Sequence, residues 1–111
     1  MTTDEHSGPD GQSLTLGAAQ GAVDASIQAL GGYWPPLANL ARLFEECGEL
    51  ARAVNQTHGP KPVKPEESAA SLAEELGDVL YITLVLANNL HLDAGLALDG
   101  ALARAMKRAQ Q

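Results

Sequence analysis

The apolar residues Leu16, Ala19, Val23, Ile27 and Leu30 recur in steps of three and four. That period predicts an amphipathic helix over about 15–30, and Gly31-Gly32 supplies its stop. Tyr33-Trp34-Pro35 reads as a link, and Pro36 suits the first turn of a second helix over about 36–56. The apolar stripe of that helix runs through Leu37, Leu40, Phe44, Cys47, Ala51 and Val54. Three prolines, a glycine and two lysines between His58 and Glu67 predict a loop. A third helix, about 68–91, is apolar around most of its circumference: Leu72, Leu76, Val79, Leu80, Ile82, Leu84, Val85, Leu86. Such a helix is expected to be buried on several sides. Asp93 is a suitable N-cap for a last helix over about 94–109. The expectation is an all-α, four-helix bundle of one domain over 14–111, preceded by a disordered polar tail over 1–13. Four helices alone leave the third under-covered, so oligomerisation, as a dimer or tetramer, is expected to complete the bundle.

Composition agrees with helix. Aromatic residues make up only 4% of the chain, so Leu, Ala, Val and Ile must build the core, and alanine and leucine favour helix. Fourteen acidic against seven basic residues give a net charge of −7. That balance repels a nucleic-acid backbone and an anionic membrane surface. A small anionic ligand remains compatible if a metal masks the local charge. The single cysteine forms no internal disulfide. The start of the chain does not resemble a secretion signal, and no charge-free apolar run is long enough to span a membrane. A cytoplasmic protein is expected.

The chemistry concentrates in two acidic clusters. Helix two carries Glu45, Glu46 and Glu49, and helix three carries Glu74, Glu75 and Asp78. Glu46 and Glu49 are three apart and share a helix face, and Glu75 and Asp78 repeat the spacing. The long loop between the helices lets them run antiparallel, bringing both pairs together. On the helical wheel Glu75 falls between Ile82 and Val79, inside the apolar sector. An unpaired carboxylate there is costly or protonates. Oxygen-only ligands suit a hard cation, Mg²⁺ or Mn²⁺, better than zinc. Exposed glutamates on helices are usually solvated, as Glu45 and Glu74 are expected to be if taken alone. Two matched pairs on adjacent helices favour a metal site.

The pattern Glu45-Glu46-x-x-Glu49 followed by Glu75-x-x-Asp78 resembles the signature of the all-α nucleoside triphosphate pyrophosphohydrolases of the MazG type. The flanks fit too: Pro36-Leu37-x-x-Leu40-Ala41-Arg42-Leu43, Gly48-Glu49-Leu50-Ala51-Arg52-x-Val54-Asn55, Glu74-Glu75-Leu76-Gly77-Asp78-Val79-Leu80 and Leu86-Ala87-Asn88. The resemblance covers about residues 16–106 and is closest to the short, single-domain branch. It implies that Glu46, Glu49, Glu75 and Asp78 hold Mg²⁺. It also implies that the triphosphate is cut between its α- and β-phosphates, giving a monophosphate and pyrophosphate. In this reading Glu46 serves catalysis as well as the metal, and Glu45 either orients the attacking water or is a solvated surface acid.

Many relatives continue past the fourth helix with basic residues that meet phosphates, whereas this sequence ends at Lys107-Arg108-Ala109-Gln110-Gln111. Lys107 and Arg108 either take that role or answer the helix macrodipole. Lys61 and Lys64, in the loop, either close over a triphosphate or stay solvated. Arg42 stands four before Glu46 and is either a substrate contact or a surface ion pair. Trp34 either stacks on a base or covers the bundle end, and Asn89 is a candidate for a base or sugar contact. Cys47, on the apolar stripe, reads as a small core residue. The expected function is removal of damaged or surplus nucleotides. Two alternatives stay open: a phosphoribosyl-ATP pyrophosphohydrolase, and a non-catalytic helical interaction module that keeps its metal for assembly.

Overall fold

The computed structural model describes residues 14–60 and 69–111. The expected polar tail and most of the proline-rich loop, with Lys61 and Lys64, lie outside the described residues. Four helices follow in order: α1 Leu16–Ala29, α2 Pro36–His58, α3 Ala69–Asn89 and α4 Ala94–Ala109. No strand occurs among the described residues, as expected. The Thr15 hydroxyl caps α1 by accepting from the Ala18 amide at 3.0 Å. The Asp93 carboxylate caps α4 by accepting from Leu96 N–H at 3.0 Å.

Two helix ends share one device. At the end of α1, Gly31 takes φ +110° and the Gly32 amide donates back to Ile27 O at 2.9 Å. At the end of α3, His91 takes φ +57° and the Leu92 amide donates to Ala87 O at 2.9 Å. Both are left-handed terminations that satisfy orphan carbonyls. The sequence signalled the first with two glycines. The second lacks a glycine, so α3 was expected to run to 91 but stops at Asn89. A non-glycine residue in this conformation is strained by about 1–2 kcal/mol. The variant His91→Gly is therefore expected to gain about 1 kcal/mol of stability, read as a higher Tm in thermal denaturation.

α3 is the central element, packed against α2 over most of its length and against α1, while α4 rests on α1. The core is Val23, Ile82 and Val85, with Ile27, Tyr33, Leu43, Tyr81 and Leu84 around it. Gln20 ties the bundle end together. Its amide nitrogen donates to Asn88 Oδ1 and to Leu92 O, both at 2.9 Å, and its oxygen accepts from Ala94 N–H at 2.9 Å. Asn88 donates in turn to Gln20 O at 3.0 Å and to the Tyr33 hydroxyl at 3.1 Å. The Tyr33 hydroxyl donates in its turn to Asp24 Oδ1 at 2.6 Å.

One expectation is reversed. The apolar stripe of α2 does not face the core of this chain: Leu37 is 77% and Phe44 68% exposed, and Cys47 is exposed with them. The inward seam is instead Asn39, Leu43, Glu46, Leu50 and Ala53, which also steps by four and three. Asn39 and Ala53 are buried, and the others are partly buried. Cys47 is thus not a core residue here. Both faces of α2 carry a helical period, and the more apolar one points away from α3. Among the described side chains of α3 only Ile82 and Val85 are buried, while Leu76 and Leu80 stay about half exposed. No single helix among the described residues is long and apolar enough to cross a membrane.

Candidate metal centre

The inward seam of α2 and the matching seam of α3 run antiparallel, since Asn39 in the first turns of α2 bonds to Asn89 at the end of α3. Midway along, Glu46 meets Glu75 and Asp78. One carboxylate oxygen from each lies within 4.8 Å of the others. Glu46 and Glu75 are partly buried and Asp78 is exposed at the mouth. Two oxygens bound to one hard cation at about 2.0–2.6 Å sit up to roughly 4–5 Å apart. The three acids therefore fit a single divalent ion with an open side.

Glu49 lies outside this triplet and is exposed, yet it is electrically part of the cluster. Burial pushes the Glu75 carboxyl above the ordinary glutamate range, and the charges of Glu49, Asp78, Glu46 and Glu74 push it further. Glu49 is the strongest of those four charges. A bound cation would oppose this repulsion and favour the charged carboxylate. The sequence placed Glu75 in an apolar sector, and this partly desolvated, repelled carboxylate is what that position produces.

The raised Glu75 fixes a pH dependence. Unfolded glutamate has the lower pKa, so the folded, metal-free protein binds that proton more tightly. Its stability is expected to rise as pH falls through the raised value and to be lower above it. Metal binding should run the other way, because the ion competes with the proton. Apparent Mg²⁺ affinity is expected to begin falling at a pH above the ordinary glutamate range. Calorimetric Mg²⁺ titrations across pH, beside melting curves in EDTA, check both slopes.

Arg42 closes one side of the cluster. Its Nε donates to Glu46 at 3.2 Å, and its guanidinium stands 5.8 Å from the centre of the Trp34 ring. The surface ion pair read from the four-residue spacing is present, and it also aligns Arg42 between the acids and the tryptophan. A small hollow of about 100 Å³ is lined by Arg42, Glu46, Asp78, Tyr81 and Ile82. It shares Arg42, Tyr81 and Ile82 with a mostly apolar cavity of about 190 Å³, which extends to Trp34, Asn39, Ile27, Leu30 and Val85. One path thus leads from the carboxylates to the tryptophan. A larger, shallow depression of about 640 Å³ lies among Gln20, Asp24, Gln28, Tyr33, Asn88, Asn89 and His91 and touches none of Glu46, Glu75 and Asp78.

The other expected residues are placed as follows. Glu45 and Glu74 are exposed beside the triplet. Asn89 accepts a hydrogen bond from Asn39 and lines the larger depression, not the hollows beside the acids. Lys107 and Arg108 occupy the last turn of α4, which packs on α1, and neither lines the hollows beside the acids. Asn39 and Tyr81 were not singled out from the sequence. The spacing held a signal for both: Asn39 lies seven before Glu46 and Tyr81 three after Asp78, each on the face of its acid.

Comparison with known proteins agrees with this geometry. Residues 35–111 match the model of the MazG nucleotide pyrophosphohydrolase domain, a span holding all four expected metal ligands. The uncharacterised protein YpjD of Bacillus subtilis is 51% identical over 77 residues, covering 68% of this chain and 69% of that protein. The crystal structure of YpjD from Bacillus subtilis superposes with a TM-score of 0.75 at 44% identity, over 81% of this chain and 93% of that one. The crystal structure of a Bacillus-conserved MazG protein, a nucleotide pyrophosphohydrolase, has a TM-score of 0.70 at 41% identity, over 81% and 87%. Divalent-metal dependence is general in this family, and the carboxylate cluster supplies the matching donor set. Fold, paired acidic motifs and domain match agree: the chain belongs to the MazG nucleotide pyrophosphohydrolase family.

Proposed function

We propose that this protein hydrolyses nucleoside triphosphates to monophosphate and pyrophosphate with Mg²⁺, Mn²⁺ being an acceptable substitute. The observation that carries the reading is the Glu46, Glu75 and Asp78 triplet, whose oxygens converge within 4.8 Å, with Glu46 and Asp78 lining a hollow that shares Arg42, Tyr81 and Ile82 with the apolar cavity. Glu49 would complete the ligand set. The bound ion would neutralise the triphosphate and lower the pKa of a coordinated water. Glu46 and Glu75 hold the site, and Asp78 at its mouth leaves room for phosphate oxygens. Glu45, exposed next to Glu46, is the candidate to take a proton from the attacking water. That water delivers its oxygen to one of the α- and β-phosphorus atoms, and the bridging oxygen leaves with the other. Trp34 and Arg42 flank the nucleoside end of the path. Lys61, Lys64, Lys107 and Arg108 remain candidates for the outer phosphates, and Asn89 for the sugar or base.

A second copy of the chain is part of the proposal. Leu37, Phe44 and Val54 on α2, Leu76 and Leu80 on α3, and Leu96, Leu98, Leu102 and Met106 on α4 are all at least 45% exposed. Apolar surface on this scale marks an interaction face, and a homo-oligomer covers it. We place the protein in the cytoplasm, removing damaged or surplus nucleotides.

Product analysis tests the reaction. Canonical and modified triphosphates are incubated with the Mg²⁺-loaded protein, and nucleotide products are resolved. Monophosphate and pyrophosphate in equal amounts support the proposal. Diphosphate and phosphate contradict it. Turnover of phosphoribosyl-ATP alone would select the histidine-pathway alternative. Silence from folded, metal-bound protein would select the non-catalytic module.

A further inference from the structure

Asn39 is the one buried polar residue among the described residues, at 4% exposure. Its amide nitrogen donates one proton to Trp34 O at 3.2 Å and the other to Asn89 Oδ1. Turning the amide over would set its oxygen against the Trp34 carbonyl, so these bonds fix which way the group points. Both protons are committed, and among the described residues no group donates to the Asn39 oxygen. Among the described residues no buried side-chain polar atom is sealed away without a partner, so this oxygen opens onto space. The space that Asn39 lines is the apolar cavity shared by Trp34, Ile82 and Val85, continuous with the metal centre through Arg42 and Tyr81.

An acceptor held rigidly at an apolar wall discriminates by what is set against it. A ligand N–H is bound, whereas a ligand carbonyl brings two oxygens together and leaves both desolvated without a partner. We infer that Asn39 is a specificity-determining residue whose carbonyl oxygen accepts from the exocyclic amino group of a nucleobase. The favoured substrates are then cytosine and adenine nucleotides over their keto counterparts. This rests on the pyrophosphohydrolase reading, in which the base enters this cavity while the phosphates meet the carboxylates. Asn89 is a positioning residue, since it holds one Asn39 proton and so fixes the oxygen toward the cavity.

Two nearly isosteric pairs test the inference: CTP against UTP, and ATP against ITP. kcat/KM for pyrophosphate release by the Mg²⁺-loaded wild-type protein is expected to favour the amino member of each pair by about tenfold, the worth of one good hydrogen bond to a buried acceptor. Asn39→Leu should bring both ratios toward one, whereas Asn89→Asp, which still accepts from the Asn39 amide, should keep them. Ratios near one or reversed in the wild type overturn the inference and leave the reaction standing. A preference that survives in Asn39→Leu also overturns it. If that variant fails to fold, the wild-type ratios decide alone. No release from any of the four nucleotides overturns the pyrophosphohydrolase reading itself, and this inference with it.

Discussion

Glu75→Gln is expected to lower kcat/KM for pyrophosphate release by about a thousandfold or more, with fold and oligomer intact. Gln keeps the volume and one oxygen, so the shape of the inward face of α3 is preserved. It removes the charge that draws a cation to the partly buried side of the triplet. Charge stabilisation by a catalytic ion is worth several kcal/mol in the transition state, and each ~1.4 kcal/mol is tenfold in rate. The same variant should raise the thermal stability of the metal-free protein, because the carboxylate it removes is repelled by Glu49, Asp78, Glu46 and Glu74. Lost turnover beside gained metal-free stability is the signature of a functional acid. A structural metal ligand would instead take the oligomer with it. Steady-state kinetics, melting curves in EDTA and light scattering together separate the two.

Phe44→Glu is expected to break the assembly while leaving the chain helical. Phe44 is 68% exposed and lies on the outward face of α2 with Leu37 and Val54, so the charge meets water in the isolated chain. In a two-fold dimer each interface residue counts twice. Full burial of a phenylalanine is worth about 1.5–3 kcal/mol. Losing it on both copies costs about 3–6 kcal/mol, roughly two to four orders of magnitude in the dissociation constant. Size-exclusion chromatography with light scattering should show the wild type at twice or four times 11.6 kDa and the variant shifted toward the single chain. A wild type that runs as a monomer at micromolar concentration would contradict the covered-face account.

These two residues also show what could be read from the chain itself. Glu75 was legible because a helical wheel is local: an acid between Ile82 and Val79 must sit against apolar neighbours, and the raised carboxyl follows. The pairing of α2 with α3 was legible from the repeated three-residue spacing and the long connection. Phe44 was half legible. Its period identified an apolar stripe but not which way it faces, because α2 carries a second seam with the same period, Asn39 to Ala53. A wheel ranks faces by hydropathy, and the face turned to α3 is the one with Asn39 and Glu46 on it. The functional site therefore took the inward face and left the more apolar one outward. The early end of α3 was hidden for a different reason: His91 occupies a left-handed position where glycine is the usual marker. Asn39 was missed because its role depends on where its two protons go, and only the placement of Trp34 and Asn89 decides that.

The most direct test of the central claim is pyrophosphate release by the wild-type protein in MgCl₂, after stripping with EDTA, and after Mg²⁺ is restored. The account predicts release together with a nucleoside monophosphate in MgCl₂, its loss on chelation and its full return on restoration. Release that persists in EDTA would contradict the role assigned to Glu46, Glu75 and Asp78. So would Mg²⁺ binding, abolished in Glu75→Gln, with no cleavage of any nucleotide tried.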